Sequence, residues 1–230
     1  INLESTLKVS NRSIPSGQKH KLPGTVPNGL QDRLVTVRTP PGYEMDTNQY
    51  YPVLYMMDGQ SLFVDQESPD GFAWHLDKTL DSLEHHKIIE PTILVAIDHV
   101  FSTRSVEFAD TEIGQRYRDY LIHTLIPSID RQFRTKKEAN DRIIGGAVAG
   151  GFVSFLAAWE HPEIVSNVIA LSPAVQIYEN DIFPKLEEYE GPTKNLKIYI
   201  DHGEFERDVK ITPGLMKLKE DFEENEDQYT

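Results

Sequence analysis

The chain has 230 residues, 39% of them hydrophobic and 26% charged, which fits one globular domain with a sizeable core. Its formal net charge of −14, from 37 acidic against 23 basic residues, argues against partners with phosphate backbones or anionic lipid surfaces. With no cysteine, disulfides and thiolate metal sites are excluded, and the redox compartment stays undetermined.

Taken in order, Lys8–Ser10 and Asp32–Arg38 read as early strands, the second running into the turn Thr39-Pro40-Pro41-Gly42-Tyr43, and Pro15–Gly29 between them reads as loop. Asn11-Arg12-Ser13 matches the glycosylation tripeptide, which is common by chance. Tyr51–Met57 is nearly continuous apolar sequence, as in a central parallel strand covered on both faces, and it ends in the turn signal Asp58-Gly59-Gln60. Pro91–Asp98 is a second buried strand, and Asp141–Gly146, Val165–Leu171 and Leu196–Asp201 are a third, fourth and fifth. Helices fit Trp74–His85, Gly114–Arg131, Gly150–His161 and Thr212–Glu224, with a kink or break expected at Pro127. Lys217–Asp227, with six acids and two lysines, reads as a solvated helix end. Strands separated by helices imply right-handed crossovers: an α/β, three-layer domain with a mostly parallel sheet and helices on both faces.

The chemistry concentrates at one corner. An apolar strand enters Gly146-Ala147-Val148-Ala149-Gly150, followed by Gly151, and an apolar helix leaves it. That is the strand–turn–helix setting of the Gly-x-Ser-x-Gly nucleophile elbow, with valine where the serine belongs. Val148 has no hydroxyl to acylate. Either a β-branched residue carries the strain of positive φ there, or the elbow has relaxed. Inherited strain is expected, because Gly146, Gly150 and Gly151 still allow close packing.

Several blocks together resemble the putative-esterase family of α/β-hydrolases, the branch holding esterase D and the enterochelin esterases. They are Asp32–Gly42, Tyr51-Pro52-Val53-Leu54-Tyr55-Met56-Met57-Asp58-Gly59-Gln60-Ser61-Leu62-Phe63, the run Leu125–Thr135, His161-Pro162-Glu163, and Ala170-Leu171-Ser172-Pro173-Ala174. The resemblance implies a serine, acid and histidine in that chain order, with main-chain oxyanion donors. The nucleophile position falls on Val148. The acid position falls in Gly203-Glu204-Phe205-Glu206, with Glu206 the better match and Asp208 next. The histidine is absent, since none follows His202 and His202 precedes the acid. The oxyanion donors map to Ala149 and to Gly59 or Gln60. The resemblance also implies a last strand and helix beyond Thr230, so the chain reads as truncated, with an unpaired sheet edge that invites a homodimer.

Other polar residues are weighed against plain structural roles. Ser61 is a pocket candidate with no base placed by sequence. Ser154 reads as a packing residue bonded to the preceding turn, and Ser172 as a strand-end cap. His99, Arg104 and Glu107 are candidates for the pocket mouth or, equally, for exposed loop polarity, and Phe63, Phe72 and Trp74 for an aromatic wall or for core. His85-His86 sits at a helix end, where positive charge meets the dipole. His75, His123 and His161 read as surface or satisfied core residues, so no metal site and no cofactor are expected.

The resulting expectation is an esterase-like domain, inactive as a serine hydrolase, that binds a small ester-like ligand or a partner. The alternatives are a carboxylic-ester hydrolase seen in truncated or substituted form, and a structural or assembly domain. No run approaches a membrane span and none resembles a signal peptide. The chain opens at Ile1, which points to upstream processing and leaves the compartment open: cytoplasmic, periplasmic or secreted.

Overall fold

The computed structural model describes residues 16–24, 26, 29–177, 180–203 and 211–224. Its strands are β1 (Gln18–Gly24), β2 (Arg33–Thr39), β3 (Val53–Met57), β4 (Ile93–Ile97), β5 (Arg142–Ala147), β6 (Asn167–Leu171), the short pair β7 (Gln176–Ile177) and β8 (Asn180–Asp181), and β9 (Lys197–Asp201). The helices are α1 (Leu76–His85), α2 (Arg104–Glu107), α3 (Glu112–Tyr120), α4 (Ile126–Gln132), α5 (Ala149–Glu160), α6 (Phe183–Glu187) and α7 (Ile211–Glu224).

Seven strands form one sheet in the order β1-β2-β4-β3-β5-β6-β9. From β4 to β9 every pairing is parallel, while β2 pairs antiparallel with both β1 and β4. After β3 the chain moves to one side to lay down β4, then returns to the other side for β5. The strand order therefore reverses between β3 and β5. A crevice outside the carboxyl ends of strands at such a switch point is where open α/β sheets bind ligands.

Both faces of the sheet are covered, which explains the continuous apolar runs of its central strands. Val53, Tyr55 and Met57 of β3, with Ile93, Val95 and Ile97 of β4, join the large core built with α3, α4 and α5. The alternate residues Leu54, Met56, Leu94 and Ala96 pack on the other face with Leu76 and Leu80 of α1. This is the expected three-layer arrangement, and no helix among the described residues is long and apolar enough to cross a membrane.

Three sequence expectations change. Pro15–Gly29 is not all loop, because β1 lies within it, paired along its whole length with β2 from Gln18↔Thr39 to Gly24↔Arg33. Its polar sequence carries no strand pattern; the hydrogen-bond ladder supplies the order. Leu196–Asp201 does form a strand, yet it is an edge strand with alternate residues exposed, and Tyr199 is 59% exposed. The helix expected over Gly114–Arg131 is divided into α3, a π turn at Leu121–Leu125, and α4. Lys8–Ser10 lies outside the described residues.

Candidate active site

At the carboxyl end of β5 the backbone turns sharply into α5 at Val148, whose φ of 53° and ψ of −115° lie outside the regions open to ordinary L-residues. Three main-chain hydrogen bonds hold it there. Its N–H donates to Leu171 O (2.9 Å), and its carbonyl accepts from Phe152 N (3.1 Å) and Ala174 N (3.1 Å). The elbow has kept its strain, worth on the order of 1–3 kcal/mol for such a conformation. Close packing enforces it: a methyl on Gly146 would fall 2.7 Å from the carbonyl carbon of Gly150. The valine side chain is 41% exposed at the mouth of the corner.

Two sets of backbone donors flank this corner. In α5 the first helical bond described is Phe152 N–H to Val148 O, so the N–H groups of Ala149, Gly150 and Gly151 precede any helical acceptor. The positive end of the α5 dipole and these free donors favour an anionic or carbonyl oxygen. After β3, Asp58 takes a left-handed conformation (φ 59°, ψ 46°) and starts a single 3-10 turn over Gly59–Ser61, whose leading N–H groups are those of Gly59 and Gln60. A methyl on Gly150 would lie 3.1 Å from Asp58 Oδ2 and 3.1 Å from Met57 Cβ, so the two strand ends meet here.

Asp58 is the hub of a polar network. Arg104 donates to it twice, Nε to Oδ1 (2.8 Å) and Nη2 to Oδ2 (2.7 Å), and His99 Nδ1 stands 2.7 Å from Oδ1. Gln60 reaches the same imidazole nitrogen through Nε2 (2.7 Å) and accepts the His99 N–H on Oε1 (3.2 Å). Nδ1 cannot both donate to Asp58 and accept from Gln60. The charge-assisted bond to the carboxylate is the stronger, so Nδ1 carries the proton. Burial works to raise the Asp58 pKa, but the hydrogen bonds from Arg104 and His99 and their charges outweigh it and hold the carboxyl below its ordinary value. The same pair raises Arg104. The Asp58 carboxylate is thus matched within the protein, in a network that braces the turn carrying Gly59 and Gln60.

The remaining candidates divide. Ser61 is half-buried, and its hydroxyl lies 3.5 Å from that of Ser68, a poor hydrogen bond with no base. Ser154 is fully buried, its hydroxyl donating to Gly150 O at 2.7 Å, the packing role expected of it. Phe63 is no pocket wall: it is 5% exposed, packed with Leu54, Leu62 and Leu80 on the α1 face of the sheet. Phe72 and Trp74 are exposed, at 81% and 44%. Glu107 is also removed from the mouth. It is 1% exposed and receives two bonds from Arg33 (2.9 and 3.1 Å) and one from Thr103 (2.9 Å), so it is framework. His202 is exposed beyond β9, and Glu206 and Asp208 lie outside the described residues. Sequence reading took Asp58 only as part of a turn; a carboxylate closing an apolar strand at its carboxyl end was the available signal. Among the described residues, the one set of three His or carboxylate groups close enough to share a cation is Asp119, His123 and His161, at the far end of α5.

Comparison with known proteins agrees with this fold. An uncharacterized protein of Bacillus subtilis, YjcH, is 23% identical over 166 residues, covering 71% of this chain and 64% of its own length. The enterochelin esterase of Shigella flexneri superposes with a TM-score of 0.74 at 18% identity, over 94% of this chain and 52% of that one. The BES protein of Bacillus cereus gives a TM-score of 0.68 at 15% identity, covering 94% and 85%. The chain therefore spans less than two thirds of the B. subtilis relative and about half of the Shigella enzyme. The profile of the family described as "Putative esterase" matches residues 30–224, and the chain belongs to that family of α/β-hydrolases.

Proposed function

We propose that this chain is a member of the esterase family that binds a small ester-like or carboxylate ligand at its elbow and does not perform acyl transfer there. The observation that carries the reading is Val148: the corner keeps the strained backbone and the helix N-terminus, and the attacking oxygen is replaced by hydrocarbon. Losing the nucleophile of a triad forfeits about 10⁶ in kcat. The oxyanion hole and binding that survive are worth about 10³–10⁴ over water, too little for a working esterase. Neither neighbouring serine supplies the missing oxygen, since Ser154 is enclosed in α5 and Ser61 has no partner base.

The chemical class of ligand follows from what surrounds the corner. The first-turn donors of α5 suit a carboxylate or ester carbonyl. Phe72 and Trp74, on the segment that leaves the carboxyl end of β3, and Phe101, on the segment that leaves β4, are exposed aromatics. A Shigella flexneri enterobactin esterase with the same fold was solved in the presence of 2,3-Di-hydroxy-N-benzoyl-serine. An aromatic ring joined to a carboxylate or ester fits both features here.

One protein sample tests both halves. With p-nitrophenyl acetate the release rate should not exceed that of the heat-denatured chain. With benzoate, amide resonances of Gly59, Gln60 and Ala149 should shift together. Saturable turnover that disappears in Ser61→Ala or Ser154→Ala would overturn the first half, and unmoved amides at millimolar benzoate the second.

A further inference from the structure

The end of α5 remote from the elbow holds a group of side chains that ligand binding does not use. Asp119 on α3, His123 on the π turn and His161 capping α5 each present a ligand atom within 4.8 Å of the other two. The two imidazoles stand edge to face, 5.2 Å between centroids with 87° between planes. Asp119 and His161 are half-buried while His123 is exposed, so the group opens to solvent.

Local sequence explains the assembly. Asp119 and His123 are four residues apart, so their side chains lie on one face of the helix. In a regular helix the ring of Pro127 would collide with the carbonyl four residues earlier, that of His123. The chain instead widens into the π turn over Leu121–Leu125, closed by Ile126 N–H to Leu121 O. Such turns recur at functional sites. Opposite them, α5 stops at His161, because Pro162 follows. Glu163 Oε1 lies 3.4 Å from His161 Nδ1, the position from which a carboxylate steadies an imidazole that ligates through its other nitrogen. Arg118, next to Asp119 in the chain, is 2% exposed and already matched by Glu160 (2.6 and 3.0 Å) and Asp110 (3.1 Å).

We propose that Asp119, His123 and His161 bind a divalent transition metal, with Zn²⁺ the best match. Two imidazoles and one carboxylate suit zinc and its neighbours, whereas Mg²⁺ and Ca²⁺ require oxygen ligands. Around zinc at about 2.0–2.1 Å the donors stand roughly 3.3 Å apart, so the exposed His123 turns inward to close the triangle. Water completes the coordination. The ion clamps the α3–π turn–α4 segment to the end of α5. Twelve helical residues at about 1.5 Å each place it roughly 18 Å from Val148, a site separate from the elbow.

The test is calorimetric titration of the chelator-treated full chain with Zn²⁺, beside His123→Asn, His161→Asn and the double variant His85→Asn/His86→Asn. The last removes a second adjacent imidazole pair among the described residues, 5.1 Å apart at the end of α1. One Zn²⁺ should bind per chain, with an affinity at least about tenfold weaker in each of the first two variants and unchanged in the third. Because His123 is exposed, its replacement should leave the circular dichroism spectrum unaltered. No zinc binding, or binding that survives both single substitutions, overturns the proposal.

Discussion

The two ends of α5 make an instructive pair. At its N-terminus the backbone is the informative part: Val148 is forced to a φ of 53° by glycine packing and three main-chain bonds, while its side chain is chemically inert. At its C-terminus the helix ends simply, at a proline, and the side chains are informative, with two imidazoles and a carboxylate drawn together from two helical segments. One end keeps a strained backbone turn with a hydrocarbon side chain at its apex. The other gathers candidate ligand side chains where a helix ends and a π turn faces it. Backbone geometry is distributed over many contacts and outlasts a single substitution, whereas reactivity resides in a few atoms and is lost with one.

The largest expected effect concerns the framework that keeps the elbow end in place. Arg33 and Glu107 are paired with side-chain exposures of 0% and 1%, so Glu107→Ala leaves a guanidinium buried without its carboxylate. Urea unfolding should show a loss of about 3–5 kcal/mol. A loss below about 1 kcal/mol would return Glu107 to the pocket mouth.

A smaller effect separates the brace around Asp58 from the corner it supports. Asp58→Asn removes hydrogen bonds to charged groups and should cost about 1.5–3 kcal/mol near neutral pH. The folded carboxyl titrates below its ordinary value, so its stabilisation is complete above the unfolded pKa and is lost as pH falls through the folded one. The gap between wild type and Asp58→Asn should therefore close below about pH 4. A gap that is constant from neutrality to acid would show that the charge contributes nothing.

How much of this was legible in the sequence depended on the range of the interaction. β3 and β4 could be read because both their faces are buried, which leaves an uninterrupted apolar run. The elbow could be read because its glycines are local requirements of a tight corner. β1 could not, since Gln18-Lys19-His20-Lys21 has no strand pattern and is ordered by pairing with β2. Glu107 looked like loop polarity because its partner Arg33 lies 74 positions away. Phe63 could be read as pocket wall or as core, because sequence does not say which sheet face a turn returns to; it is core. His123 and His161 looked unremarkable singly. Their meeting depends on the π turn, and although a break at Pro127 could be foreseen, its form could not.

The most direct test of the claim that the elbow survives without its oxygen is the stability series Val148, Val148→Ala and Val148→Gly, by urea unfolding. Removing a half-exposed side chain would ordinarily change little or destabilise. Here glycine should relieve strain of about 1–3 kcal/mol against an entropic penalty of about 0.5–1 kcal/mol. The expected result is a net gain of about 1 kcal/mol for Val148→Gly, with alanine between. If glycine is instead less stable than valine by a similar amount, the corner has relaxed and the account is wrong.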